Sequence, residues 1–508
     1  MFTKIVTSVT LACFIFTLPG CYTKGELRRP EILEGKDLSI VEVVKTDGEL
    51  VTFTEFGGKW AEVRDSTLVG VVASGKQVRI PVSEIHRAYV RKTDVALTIF
   101  AIIGIPVLVA GVVALIVLAT KESCPFVYSY DGTRYVFDGE PYGGAICEGL
   151  ERTDWCKLEH LKPVSDEYRL LLTNEVNETQ FTDELKLWVV DHRAGVDIAP
   201  DAEGNLYTIS EPLKPLRATD GRGRDISRWV IENDKLFWQS DLSTKNPNSA
   251  ADLRDTIIME FPKPAGTTTA KLLVNGSTTM WGSQMLKRMT ELRGETVPEW
   301  FNELKNPVNR EMLDLWNKRE ELYKLQVKVG TGGTWVTRGI LWGGGPYISE
   351  DRVVPLDVSG IDGTTLRILL APPAGFWQLN SFAVDYTTGL KPEFQEITGK
   401  SMIGHDGSDL RGILSSTDQK FYVMPETGQM AELIFVVPPQ KSGSERTVFA
   451  KVSGYYDLRA RAEGPAQAEM VNRLTVEPGY AVSYALKEFN KWRSEAARAD
   501  RAGVEIRR

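Results

Sequence analysis

Phe126 to Asp138 reads FVYSYDGTRYVFD, with two short runs of aromatic and β-branched residues on either side of Asp131-Gly132. Asp-Gly is a favoured two-residue turn between antiparallel strands, so the stretch predicts a β-hairpin. A similar pattern surrounds Asp47-Gly48 and Gly75, and further alternating runs continue toward the C-terminus. Short strands with turns at this spacing predict antiparallel sandwiches.

We therefore expect a mainly β chain. It would combine a small juxtamembrane β-barrel-like domain, one transmembrane helix, two antiparallel β-sandwich-type domains, a helical insert and a C-terminal helix. The expected boundaries are a signal peptide at 1–20, a lipidated linker at 21–35, a small β domain at 36–94, a transmembrane helix at 95–120, a first β domain at 121–280, a helical insert at 281–325, a second β domain at 326–475, and a C-terminal helix and tail at 476–508.

The helical insert contains a recognisable helix start. Thr296 to Glu299 reads TVPE, with Thr at the predicted N-cap and Glu three residues later. This spacing predicts a capping box, and Pro298 suits the first helical turn.

The N-terminus has the features of a bacterial export signal. Lys4 precedes an apolar stretch at 5–18, which is shorter than the roughly 20 residues of a stable span. Leu18-Pro19-Gly20-Cys21 resembles a lipobox, although proline is an uncommon choice there. We expect Cys21 to be acylated and to become the mature N-terminus; an ordinary signal with a chance cysteine is the alternative.

A second membrane element is expected from Val95 to Thr120, which carries no charged residue. Its length suffices to cross a hydrocarbon core about 30 Å thick. An exported Cys21 followed by one crossing would place 121–508 in the cytoplasm. However, Arg87, Arg91 and Lys92 precede the run, and this charge bias favours the C-terminal side outside. A segment that inserts late, or that bends at Gly104–Pro106, would reconcile the two indications.

Composition and motif scans give little sign of catalysis. The net charge of −8 leaves no electrostatic basis for binding nucleic acid. Gly399-Lys400-Ser401 lacks the first glycine of a phosphate-binding loop, since Phe394 occupies that position. GxSxG, HExxH and a complete calcium loop do not occur in the sequence. We assign no catalytic residue and no cofactor, and lean toward a protein that is not an enzyme.

The cysteines allow three interpretations. A disulfide between Cys147 and Cys156 suits an oxidising envelope. Zinc bound by Cys147, Cys156 and His160 is an alternative, because Cys156 and His160 would share a face if they lay on a helix. Unpaired, buried thiols are the third interpretation. A nucleophilic cysteine has thin support, because only His160 is a nearby base.

Two tryptophans are candidates for ligand binding. Trp342 and Trp377 lie next to glycine-rich segments, and loops of sandwiches commonly hold ligands. Tryptophan can stack on sugars, although packing in the core is its commoner role.

Three segments, CPFVYSYDGTRYVFDGEPYGGAI, LLLTNEVNETQFTDELKLWVVDH and MEFPKPAGTTTAKLLVNG, resemble a family of uncharacterised bacterial membrane-anchored envelope lipoproteins. They are more distantly similar to β-rich segments of exported FG-GAP repeat proteins, whose repeats and calcium loops this chain lacks. The resemblance covers about residues 121–280. It implies an exported β domain and supplies no site residues.

Together these observations favour a non-enzymatic envelope lipoprotein with a binding or scaffolding role. Its expected partners are the lipid bilayer and an envelope protein or glycan, and residues 121–508 are expected outside the cytoplasm. A carbohydrate-binding or carbohydrate-processing protein is the second hypothesis. A thiol-redox or zinc protein is the third.

Overall fold

The computed structural model describes residues 22–27, residues 40–93 apart from 47, 48, 55–59, 65 and 73, and residues 125–501 apart from 235, 390 and 460–462. The chain divides into two units, Met1–Leu108 with Arg508, and Val109–Arg507. Most of the described residues that form regular structure are in antiparallel strands, so the prediction of a mainly β chain is confirmed.

The smaller unit holds one seven-stranded sheet. Its strands are β1 (Tyr22–Leu27), β2 (Ile40–Lys45), β3 (Leu50–Thr54), β4 (Glu62–Arg64), β5 (Thr67–Val72), β6 (Gln77–Pro81) and β7 (Ile85–Thr93). The order is β1-β7-β2-β3-β5-β4, with β6 also paired to β5. The sheet is a half-barrel rather than the barrel-like domain expected from sequence.

Two of the predicted hairpins are present in this sheet. The β2–β3 pair connects across the predicted turn at 47–48, which lies outside the described residues, and β5–β6 turns at Gly75, whose φ is +77°. Part of the predicted linker is also a strand, since β1 pairs with β7. Phe53, Leu68 and Ile80 are among the buried side chains of the core.

In the larger unit, ten strands form a first sandwich of two sheets. One sheet contains β10 (Arg152–Lys157), β12 (Thr179–His192), β24 (Gln395–Ile397), β26 (Tyr422–Met424) and β28 (Glu445–Asp457). The other contains β8 (Phe126–Tyr130), β9 (Tyr135–Gly139), β11 (Glu167–Thr173), β25 (Ser401–Ile403) and β27 (Met430–Val436). Leu170 and Leu433 of one sheet share a core with Leu187 and Val452 of the other.

A second sandwich is formed by strands that lie between these in sequence. Its first sheet contains β15 (Arg217–Asp220), β17 (Ile257–Pro262), β19 (Lys324–Thr331), β20 (Thr334–Trp342) and β22 (Thr365–Leu370). Its second sheet contains β16 (Trp238–Gln239), β18 (Thr269–Thr278), β21 (Glu350–Asp357) and β23 (Trp377–Asp385). A separate hairpin, β13 (Asp197–Pro200) and β14 (Leu206–Ile209), precedes it.

The second sandwich is therefore inserted into the first. β12 pairs with β28 along almost its whole length, and β17 pairs with β22. In each pair, one strand belongs to the range 121–280 and its partner to the range 326–475. Each sandwich therefore contains strands from both of the consecutive β domains that were expected from sequence.

Four of the five helices pack against the core of the second sandwich, whereas Phe301 of α2 packs against the core of the first. They are α1 (Met280–Glu291), α2 (Val297–Glu303), α3 (Pro307–Glu320), α4 (Ala468–Val476) and α5 (Tyr480–Arg501). The predicted capping box is not formed: the hydroxyl of Thr296 donates to the carbonyl of Arg293 and caps no helical N–H, although Pro298 does lie in the first turn of α2.

No helix within the described ranges is long and apolar enough to cross a membrane. The predicted transmembrane helix at 95–120, the signal peptide at 1–20 and Cys21 all lie outside those ranges.

Candidate functional site

The two cysteines that the sequence suggested as a disulfide are free thiols, and both are buried. Cys147 directly precedes a single helical turn at Glu148–Leu150, and burial raises the pKa of its thiol to about 11. Cys156 lies on β10 and packs against the backbone of Gly139. Burial and the nearby Glu350 carboxylate raise the pKa of the Cys156 thiol well above its usual value. Both thiols are therefore poor nucleophiles at neutral pH.

The zinc hypothesis placed Cys156 and His160 on one face of a helix, and this placement is wrong. Cys156 belongs to a strand, and His160 lies in the turn that follows it. The Nδ1 atom of His160 is 2.5 Å from Oδ1 of the buried Asp138, and its backbone N–H donates to Oδ2 at 2.9 Å. Among the described residues, no group of three or more His, Cys, Asp or Glu side chains is arranged to hold a metal ion.

The two tryptophans proposed for ligand binding have different environments. Trp377 is 1% exposed, and its indole N–H donates to the carbonyl of Glu321 at 2.9 Å. Trp342 ends β20 and is 36% exposed, with the ammonium group of Lys324 3.8 Å from its ring centroid. A sugar could reach Trp342 but not Trp377, so the two residues do not form a shared stacking platform.

The segment from Phe126 to Gly143 lies where the two sandwiches meet. The loop after β9 approaches the loop before β21 so closely that a Cβ on Gly143 would be 2.6 Å from the backbone nitrogen of Gly345. The carboxylate of Glu140, which is 1% exposed, accepts a hydrogen bond from the backbone N–H of Tyr347 at 2.9 Å. The ring of Tyr347 in turn packs edge-on against Phe126, with centroids 5.3 Å apart.

A buried ion pair completes this junction. Arg352 on β21 pairs with Glu350 and donates to the carbonyl of Trp155 on β10 at 3.0 Å. A second pair, Arg152 with Asp154, lies alongside. Burial disfavours the charged form of Arg352, but the carboxylates of Glu350 and Asp154 keep the pKa of Arg352 above its ordinary value. The polar residues of this stretch thus join the two sandwiches.

One carboxyl group, that of Glu151, has a pKa close to neutral pH. Burial, together with the adjacent Asp183 and Glu148, raises the pKa of Glu151 to about 7. Asp183 is 1% exposed and accepts from the backbone N–H groups of Asp418 and Gln419, both at 3.2 Å. Glu151 can therefore hold a proton near neutrality. Sequence reasoning missed this pair because nothing local to Glu151 indicates that Asp183 is its neighbour.

An open groove lies beside the loop that connects β27 to β28. Its volume is about 890 Å³, and a smaller pocket of about 620 Å³ adjoins it through Gln440, Arg446 and Thr447. Lys157, Tyr168 and Pro438 also line the larger groove.

Arg446 holds the wall of this groove in place. Its guanidinium group pairs with Asp191, with Nε–Oδ1 and Nη2–Oδ2 distances of 2.6 and 3.1 Å, and donates to the carbonyls of Pro438 and Pro439 at 2.8 and 3.0 Å. A bidentate pair with two further carbonyl acceptors fixes a planar group in one orientation. One wall of the groove is therefore held in a fixed conformation, and sequence reasoning did not identify this groove.

Comparisons with known proteins give no identification. No protein-family model matches the chain, and no curated protein matches it. Among solved structures, the chain is similar to the GH31 alpha-xylosidase Xac1773 from Xanthomonas citri, at 11% identity and a TM-score of 0.17. That match covers 78% of this chain and 34% of the xylosidase.

Proposed function

We propose that this chain is a non-enzymatic, membrane-anchored lipoprotein of the bacterial cell envelope whose sandwiches bind or scaffold a partner. In this proposal an acyl chain on Cys21 and the uncharged segment 95–120 provide the anchors, and residues 121–508 lie outside the cytoplasm, which requires that segment 95–120 enters the membrane without making one complete crossing. The lipobox-like Leu18–Cys21 and the length of the apolar run support the anchoring.

The groove beside the β27–β28 loop carries the binding role. Its rim combines exposed apolar and polar groups, since Val436 is 53% exposed and Gln440 and Glu159 are also exposed. Because Arg446 already fixes the loop, a ligand would not have to pay the conformational entropy of ordering it.

The junction between the sandwiches supports the scaffolding role. Glu140 is buried there, the side chains of Arg352 and Glu350 are only 12% and 13% exposed, and all three are bonded to groups of the opposite sandwich or to each other. A buried, hydrogen-bonded contact of this kind restricts the relative motion of two domains, which suits a rigid spacer.

Lipid labelling and protease shielding test the anchoring. Cells expressing the protein are grown with a radiolabelled fatty acid, and Cys21→Ser is the matched variant. We expect label on the wild-type chain and none on Cys21→Ser. In spheroplasts, a tag at Arg508 should be digested by added protease. An unlabelled wild-type chain would contradict lipidation, and a fully protected tag would contradict the placement outside the cytoplasm.

Site-specific photocrosslinking tests the groove. A photoreactive amino acid replaces Gln440 in intact cells, and Asp362, exposed on a turn of the second sandwich, is the control position. We expect a discrete adduct from Gln440 that is absent from Asp362. The same adducts from both positions, or none from Gln440, would overturn the assignment of the groove.

A further inference from the structure

One sheet of the first sandwich carries large apolar and aromatic side chains on its outer face as well as on its core face, although Arg169 and Glu432 also lie on the outer face. Along β11, Tyr168, Leu170 and Leu172 point into the core, so Arg169 and Leu171 point to the opposite, outer face. An antiparallel sheet with one solvated face normally alternates apolar with polar residues. The outer face of this sheet departs from that pattern most clearly on β8, β9 and β27, where Tyr128, Phe137 and Ile434 occupy outward positions.

The cross-strand register shows which residues form this outer face. In one row across the sheet, Ile403 lies opposite Glu432, Glu432 opposite Leu171, Leu171 opposite Tyr128, and Tyr128 opposite Phe137. In the next row, Ser401 lies opposite Ile434, Ile434 opposite Arg169, and Tyr130 opposite Tyr135. We call these residues, together with Met430 at the end of β27, the outer aromatic face.

The exposure of the outer aromatic face is substantial. Met430, Ile403 and Tyr135 are 45%, 41% and 37% exposed. The rings of Tyr130 and Tyr135 are 5.1 Å apart, and those of Tyr128 and Phe137 are 5.6 Å apart, so the aromatic groups form a continuous ladder along β8 and β9. Burial, with Glu432 nearby, raises the pKa of Tyr135, which suits a phenol at an apolar surface. Large exposed apolar patches mark interaction surfaces.

The position of β8 in the chain limits what can cover this face. The uncharged segment ends at Thr120, and β8 begins at Phe126, so only residues 121–125 separate them. Five extended residues reach at most about 18 Å. If segment 95–120 lies in a bilayer, the first strand of the outer aromatic face therefore starts next to the headgroup region, whichever side of the membrane it is on.

We propose that the outer aromatic face rests on the lipid surface of the membrane, with its tyrosines at the headgroup level. Amphipathic aromatic rings concentrate at membrane–water interfaces, and exposed isoleucine and methionine gain by entering the acyl boundary. This inference rests on the proposed membrane anchoring and adds the surface through which the first sandwich contacts lipid.

Fluorescence quenching in vesicles tests the proposal. The full-length protein is reconstituted into vesicles of phosphatidylethanolamine and phosphatidylglycerol that carry headgroup-level nitroxide lipids. A fluorophore is attached to Ile403→Cys or Tyr135→Cys in a Cys124→Ser background, because Cys147 and Cys156 are buried. Met312→Cys is the matched control: Met312 is 61% exposed and apolar, but lies on α3 beside the second sandwich.

We expect nitroxide quenching several-fold greater at Ile403 and Tyr135 than at Met312, with no dependence on protein density. Adding Met430→Glu should reduce quenching at Ile403, because a carboxylate resists entry into the interface. Equal quenching at all three sites, or quenching only at Met312, would overturn the proposal. Protection of Ile403 that grows with protein density would also overturn it, in favour of a second copy on this face.

Vesicle flotation separates the two proposals. Protein that fails to float with the vesicles would contradict the membrane anchoring itself. Protein that floats but is not quenched at Ile403 would contradict only the lipid contact of the outer aromatic face.

Discussion

Arg352, on the inserted sandwich, donates a 3.0 Å hydrogen bond from Nη1 to the carbonyl oxygen of Trp155, on the sandwich that surrounds it in sequence. The same guanidinium group neutralises Glu350, whose side chain is only 13% exposed. One side chain therefore joins the two sandwiches and balances a buried charge.

Replacing Arg352 with alanine should destabilise the protein strongly. The change leaves Glu350 buried and unpaired, a loss that typically costs about 3–5 kcal/mol. Urea denaturation measures the free energy of unfolding. Arg411→Ala is the matched control, since Arg411 pairs with Asp409 on the surface and its removal should change little. Equal effects of the two substitutions would show that the junction does not depend on this ion pair.

Glu151 should make stability fall as the pH rises. Its folded pKa of about 7 exceeds the ordinary value of 4.5, so the folded state binds the proton more tightly than the unfolded state does. The stabilisation is complete below about pH 4.5 and is lost as the pH rises through about 7. Since Glu151 is partly exposed, we expect about 1 kcal/mol after allowing for solvent screening.

Glu151→Gln should remove this part of the pH dependence. Urea denaturation at pH 5 and pH 8 measures it, and Glu463→Gln, at an exposed position, is the control. We expect the difference between the two pH values to shrink in Glu151→Gln and to persist in Glu463→Gln. An unchanged difference in Glu151→Gln would show that the pKa of Glu151 is not raised in the folded protein.

Gly143 should not tolerate even a methyl group. A Cβ there would lie 2.6 Å from the backbone nitrogen of Gly345, and backbone atoms cannot move aside as a flexible side chain does. We expect Gly143→Ala to cost about 1–3 kcal/mol of unfolding free energy. Gly412→Ala, with no atom within 4 Å of the added Cβ, should stay within about 0.5 kcal/mol of wild type. Calorimetry measures the melting temperature of each variant. Equal melting temperatures for Gly143→Ala and Gly412→Ala would contradict this expectation.

Cys147 and Cys156 should be reduced and unreactive in the native protein. Both are buried, and burial raises the pKa of each thiol. Alkylation followed by peptide mass spectrometry should find both protected in native protein at pH 8 and both modified in urea without reductant. A Cys147–Cys156 disulfide in the urea sample would contradict the free-thiol structure.

The local parts of the fold could be predicted from sequence. Tyr130 pairs with Tyr135 across the predicted turn, and Oδ1 of Asp131 accepts from the backbone N–H groups of Thr133 and Arg134. Alternation and turn chemistry are properties of a few adjacent residues, which is why such hairpins could be identified.

Long-range pairing could not be predicted in the same way. Alternation shows that β12 is a strand, but not that its partner is β28 rather than a nearer strand. The same limit applies to the sites. Arg446 fixes the groove through Asp191, which is 255 residues away in sequence. The pKa of Glu151 is raised in part by Asp183, which lies on β12. Cys156 was misplaced because a spacing of four residues suggested a helix where the chain forms a strand and a turn.

The insertion of one sandwich within the other imposes an order on folding. The contact between Asp191 and Arg446 spans 255 residues, so the first sandwich stays incomplete until β28 has emerged. The inserted sandwich has all its strands between β15 and β23 and can close earlier. During synthesis, the edge of β12 that pairs with β28 therefore stays unpaired until β28 has been made, and an unpaired strand edge is prone to aggregation.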